Sequence, residues 1–120
     1  MIMFRQSMLG SLKAHGISHE LYRELLNFCL QYRSWRKVVS AAFPNCSAEC
    51  IAKAKENIAL VDRLINEIAP DDPLPLYDCV TIGISAHTVC ELGRSITPYA
   101  VLCERRRSFY IRLARELRRI

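Results

Sequence analysis

The residues best suited to recognition chemistry crowd the last quarter of the sequence. Between Arg94 and Ile120 stand eight arginines (Arg94, Arg105, Arg106, Arg107, Arg112, Arg115, Arg118 and Arg119) against two acids, Glu104 and Glu116, and no lysine. That segment carries a net +6 in a chain of formal charge +5, which leaves −1 on residues 1–93. A guanidinium offers five donors in a rigid fork that matches phosphate and base edges bidentately, as an ammonium does not. A near-neutral body with a basic end therefore predicts an anionic partner for that end. The competing reading is a solvated helical face.

Other chemistries have weaker support. Six cysteines include one C-x3-C pair, Cys46 and Cys50, and His87 stands three residues before Cys90. Cys29, Cys79 and Cys103 are solitary, so the two tight pairs of a zinc site are missing. Reduced, mostly buried thiols in a cytoplasmic protein are expected, with no metal and no cofactor. Met1 to Gly10 shows no secretory signal, and no stretch approaches the length of a membrane span. His15, His19 and His87 are scattered, and Gly10, Gly16, Gly83 and Gly93 form no phosphate loop, so no enzyme is expected. Asp71 and Asp72 lie beside prolines and read as a solvated linker rather than an acid–base pair.

The elements that must position the arginines are helices. Half of the 120 residues are apolar, and glycine and proline are few, so an all-α fold with a real core is predicted. Residues 1–16 read as a loose arm or a short helix. Ser18 can cap a helix whose stripe, Leu21, Leu25, Phe28, Tyr32, Trp35 and Val39, runs to about Ala42, where Pro44 breaks it. Ser47 can cap a second, with Ile51, Ala54, Ile58, Val61, Ile65 and Ile68 in strict 3,4 alternation. This pair predicts a helical hairpin over 17–69, whose stripe suits either plain core or a homodimer seam.

The proline-rich linker, 70–73, leads to a unit over 74–120. Leu74 to Ile82 stops at Gly83, and Ser85 caps a short helix that stops at Gly93. Thr97 then Pro98 reads as an N-cap with proline at the first helical position, opening a helix from Tyr99 to about Arg119. Two short helices followed by a longer basic one predict a helix-turn-helix whose last helix enters the major groove of double-stranded DNA. On a wheel of about 100° per residue, Leu102, Phe109, Leu113 and Leu117 share the face expected to be buried. Ala100, Cys103, Glu104, Arg107, Ser108, Ile111 and Arg115 share the other. With Thr97 and Tyr99 at the helix start, Ala100, Cys103, Glu104 and Arg107 are expected to meet base edges. Arg105, Arg107, Arg112 and Arg115 are expected to anchor the backbone. Arg106 falls in the buried sector, so its head should find a carboxylate or reach solvent.

The stretches Ile84-Ser-Ala-His-Thr-Val-Cys-Glu-Leu-Gly and Ile96-Thr-Pro-Tyr-Ala-Val-Leu-Cys-Glu-Arg-Arg-Arg-Ser-Phe-Tyr-Ile-Arg-Leu-Ala-Arg-Glu-Leu resemble small phage-encoded transcriptional regulators of the RinA/ArpU kind. The C-terminal end of those proteins is similar to region 4 of sigma factors. The most specific part is Glu104-Arg-Arg-Arg-Ser-Phe-Tyr-Ile-Arg-Leu-Ala. The hairpin, through Tyr32-Arg-Ser-Trp-Arg-Lys and the Val61-to-Ile68 segment, resembles them loosely. The resemblance implies a recognition helix over 97–112, a supporting helix over 87–92, action on late or packaging-associated phage genes, and contact with RNA polymerase. Two other readings remain open: a helical module that binds an acidic protein surface, and a phage DNA-packaging component that closes into a ring.

Overall fold

The computed structural model describes residues 11–40 and 45–120. The expected helix end near Ala42, the break at Pro44, and residues 1–10 of the N-terminal arm lie outside those residues. The fold is all-α, and no strand occurs among the described residues.

Helix α1, His19–Leu30, starts where the sequence places it: the Ser18 side chain accepts from the Leu21 amide at 3.1 Å. It does not run on as one rod. The chain breaks step at Gln31 and resumes as α2, Tyr32–Val39. The break redirects the stripe, so that Tyr32 and Trp35 are buried with Leu21, Leu25 and Cys29 in one core. Helix α3, Ala48–Ile68, is capped by Ser47, which accepts from the Cys50 amide at 3.1 Å. Of its stripe, Ala54, Val61 and Ile65 are core, with Leu64 enclosed beside them, whereas Ile51, Ile58 and Ile68 are half-buried.

Pro73 is not linker but the first residue of α4, Pro73–Tyr77, in keeping with proline's fixed φ and missing donor. The expected helix over 74–82 changes character halfway, becoming a π-helical turn over Asp78–Ile82. Helix α5, Ala86–Glu91, is capped by Ser85, which accepts from the Thr88 amide at 3.1 Å. The last helix, α6, covers Tyr99–Glu116. It begins at Tyr99 as read, with Pro98 rather than Thr97 as the cap, and ends short of Arg119.

The short connector does not divide two cores. One hydrophobic cluster runs from Leu12 through α1, α3 and α4 to Leu102, Phe109, Tyr110 and Leu113 of α6. At its centre Tyr110 meets Tyr22 edge-on at 5.2 Å and Phe109 at 5.5 Å between ring centroids. Residues 11–14 are helical and Leu12 is fully buried, so this part of the arm takes the short-helix alternative and belongs to the core. A carboxylate braces the other side: Asp62 Oδ1 accepts from Tyr32 and from Tyr77, each at 2.6 Å, tying α2 and α4 to α3.

Candidate nucleic-acid interface

Three acids hold the basic helix and its entry. Asp72 Oδ2 accepts from the Ile96 amide at 3.1 Å, the Thr97 amide at 3.1 Å and the Thr97 hydroxyl at 2.8 Å. Thr97 is therefore buried and does not cap the helix, which corrects its expected place. Asp71, still exposed in the connector, pairs with Arg105 at 2.8 Å, whereas Asp72 is half-buried, so both acids are engaged and not merely solvated. Asp78, buried in the π turn, takes both prongs of Arg94, Nε at 2.7 Å and Nη2 at 3.2 Å. That pair fixes the turn after α5 against the turn before it. A desolvated carboxylate is tolerable only with such a partner.

The buried face of α6 is wider than the leucine pattern indicates. Besides Leu102, Phe109 and Leu113 it includes Cys103, Tyr110, Ile111 and Ala114. Cys103 and Ile111, assigned by the wheel to the outer face, are enclosed, because neighbouring elements wrap further around the helix than one apolar stripe requires. Tyr99 is half-buried at the helix start, near the Cys103 thiol, and meets His87 edge-on at 6.2 Å. Burial pushes the Cys103 thiol up, so it stays protonated at neutral pH.

Arg106 lies inside the buried sector as expected, but its head finds a phenol, not a carboxylate: Nη2 donates to the Tyr22 hydroxyl at 3.1 Å. Its Nε and the Tyr110 hydroxyl are buried without a hydrogen-bond partner.

Ala100, Val101, Glu104 and Arg115 are exposed on the outer stripe, with Ser108 and Arg112 half-buried along it. Most of the expected anchors are already engaged. Arg105 holds Asp71 and reaches the Thr97 hydroxyl at 3.3 Å. Arg107 donates to Ser11 at 2.8 Å and to Glu104 at 2.9 Å, and Arg112 pairs with Glu67 at 2.9 Å. Arg119 pairs with Glu24 at 2.7 Å. Among the described residues, the Arg115 and Arg118 side chains make no ion pair or hydrogen bond, and with Arg112 and Glu116 they line a concavity of about 410 Å³. The acids Glu67, Asp71, Asp72 and Asp78, and the arginine Arg118, were not singled out as site residues from sequence. Partners so distant along the chain leave no local spacing signal.

Among the described residues no group of three or more His, Cys, Asp or Glu side chains is placed to hold a metal ion, and no helix is long and apolar enough to cross a membrane. Comparison of the chain with protein-family models, curated proteins and solved structures finds no match.

Proposed function

We propose that this chain is a DNA-binding regulator in which α5, the turn over residues 92–98 and α6 act as a helix-turn-helix. The carrying observation is the outer stripe of α6: small residues Ala100 and Ser108 at its leading half, arginines without internal partners at its end, and a fully enclosed opposite face. Small side chains let a helix backbone approach base edges, while the following cations neutralise phosphate. Ala100, Glu104 and Ser108, with Val101 beside them, form the base-facing set. Tyr99 braces the entry, and Thr97 and Cys103 act from inside the fold. The resemblance to phage regulators supports the same reading, and recruitment of RNA polymerase rests on that resemblance alone.

The test is binding of a mixed-sequence DNA duplex by fluorescence anisotropy across a salt series. If Arg107, Arg112, Arg115 and Arg118 each meet a phosphate, log K falls against log salt with a slope of about −3 to −4. A flat response removes the proposal. A second reading, a module that docks on another protein, is favoured by the exposed Ile96, Leu74 and Leu92 (86%, 67% and 64% accessible). Selection from a random duplex library separates the two, because a protein-docking module enriches no sequence.

A further inference from the structure

We infer that the concavity at the C-terminal end of α6 is an oxyanion site, built by Arg112, Arg115 and Arg118, whose ligand is a backbone phosphodiester of nucleic acid. The naming of the phosphodiester rests on the function proposed above; the oxyanion site does not.

Charge accounting around the helix isolates this place. Arg94, Arg105, Arg107 and Arg119 each hold a carboxylate, on Asp78, Asp71, Glu104 and Glu24 respectively. Glu116, which also lines the concavity, is held from outside by Arg63 at 2.9 Å. Arg63 also reaches Glu67 at 3.4 Å, so Glu67 keeps a cation when Arg112 turns to a ligand. Arg115 and Arg118 have no carboxylate to satisfy them and point their charge at a shared hollow of about 410 Å³. Like charges so gathered repel, and an oxyanion relieves that repulsion while using the paired donors of each guanidinium.

The backbone at Arg118 adds an independent observation. Helix α6 ends in a 6→1 and 5→2 pair of hydrogen bonds, Arg119 amide to Ala114 carbonyl at 2.8 Å and Arg118 amide to Arg115 carbonyl at 3.0 Å. This motif needs a left-handed residue, and glycine is the usual occupant. The same bond pairs close around Gly16 and Gly93, whereas here the left-handed residue is Arg118, at φ 56°. A side chain thus stands where the backbone favours none, and it lines the same concavity as Arg115.

Position fits the ligand. Fifteen residues of helix separate Ala100 from Arg115, about 22 Å of rise. That exceeds the roughly 12 Å width of the major groove, so a helix inserted by its leading end carries this site onto the flanking backbone.

The experiment has two arms on the full chain. In the first, arginine Nε–H signals are followed by NMR while inorganic pyrophosphate is added. The signals of Arg112, Arg115 and Arg118 should move, those of Arg94 and Arg105 should stay, and R115Q/R118Q should abolish the response. No movement, or equal movement at every arginine, overturns the site. In the second, the duplex salt titration is repeated with R115Q/R118Q, whose fold is checked by circular dichroism since both side chains are exposed. The slope should lose about 2 units. An unchanged slope overturns the phosphate anchor while leaving the DNA reading intact. A pyrophosphate response without duplex binding by the unmodified chain overturns the phosphodiester assignment and the proposed function together.

Discussion

A single carboxylate oxygen of Asp72 accepts three hydrogen bonds across 25 residues of chain, one of them from the Thr97 hydroxyl at 2.8 Å. The connector after α3 and the turn before α6 are thereby one structural unit. Asp71 extends the clasp to Arg105, nearly two turns into the helix.

Asp72→Ala should therefore loosen the entry to α6 and not merely shorten a linker. It removes the acceptor of the Thr97 hydroxyl, which is buried with Thr97, and of the Ile96 amide, while the Thr97 amide keeps Ser95 Oγ at 3.1 Å. Hydrogen bonds to a charged acceptor contribute about 1.5–3 kcal/mol each, and the loss here should total about 2–3 kcal/mol because water reaches part of the site. Asp72→Asn keeps an acceptor and should lose about half as much. Urea unfolding measures both. A change under 0.5 kcal/mol for the alanine variant, the ordinary size for a surface substitution, would show that the clasp carries no stability.

Neighbouring positions on α6 should respond oppositely to bulk. Cys103 is enclosed beside Tyr99, so Cys103→Leu overfills the core and should cost about 1–3 kcal/mol. Ala100 is exposed, so Ala100→Gln should stay within about 0.5 kcal/mol of the starting stability. On DNA the order reverses: Ala100→Gln should change which duplexes are selected from a random library. Equal selection profiles for Ala100→Gln and the unmodified chain would remove Ala100 from the base-facing set.

The sequence made the local elements legible and the long-range pairings illegible. Ser18, Ser47 and Ser85 cap as read, because a cap depends on a hydroxyl and an amide three residues on. The all-α class followed from the same periodicity. Thr97 carries the same cap signal and fails: its hydroxyl donates to Asp72 and accepts from the Arg105 guanidinium instead of a helix amide, and Pro98 holds the cap position. Wheel geometry placed Leu102, Phe109 and Leu113 correctly, but a wheel has no knowledge of how many elements surround it. Cys103 and Ile111 are buried by neighbours, not by their own stripe. For the candidate site the arginine count was plain in the sequence. Which of those charges are satisfied internally is a property of Glu67, Asp71, Asp78 and Glu24 in three dimensions.

Alkaline pH should unfold the protein through its buried thiols. Burial alone pushes Cys29 up to about 12 from an ordinary 9.0, and Cys79 reaches about 11 with burial as the largest cause. Both shifts raise the folded value above the unfolded one. Their stabilising contribution is thus complete below pH 9 and is lost as pH rises toward 11 and 12, because the unfolded chain releases protons that the folded chain retains. Each thiol contributes about 1.4 kcal/mol per pH unit within its window. Urea midpoints at pH 8, 9, 10 and 11 should fall progressively, and Cys29→Ala should flatten the decline although its starting stability is lower. The same burial predicts that a thiol-alkylating pulse at pH 8 labels exposed Cys50 well before Cys29 or Cys79. Simultaneous labelling of all three would contradict the buried assignment.

Arg118→Gly separates what the backbone prefers from what the site requires. A left-handed conformation costs a side-chain-bearing residue about 1–2 kcal/mol relative to glycine, and the terminal hydrogen bonds of α6 demand that conformation. Part of the relief is offset by the greater freedom of glycine in the unfolded chain. The net expectation is a gain of about 0.5–1 kcal/mol in urea unfolding, enlarged at low salt, where removing one cation from beside Arg112 and Arg115 also lessens repulsion. Duplex binding should weaken in the same variant, with a salt slope shallower by about 1. Stability and binding moving in opposite directions is the signature of a residue retained for a ligand at the expense of its own backbone. Loss of both together would instead mean that the Arg118 side chain is held by the fold, and the oxyanion role would pass to Arg112 and Arg115 alone.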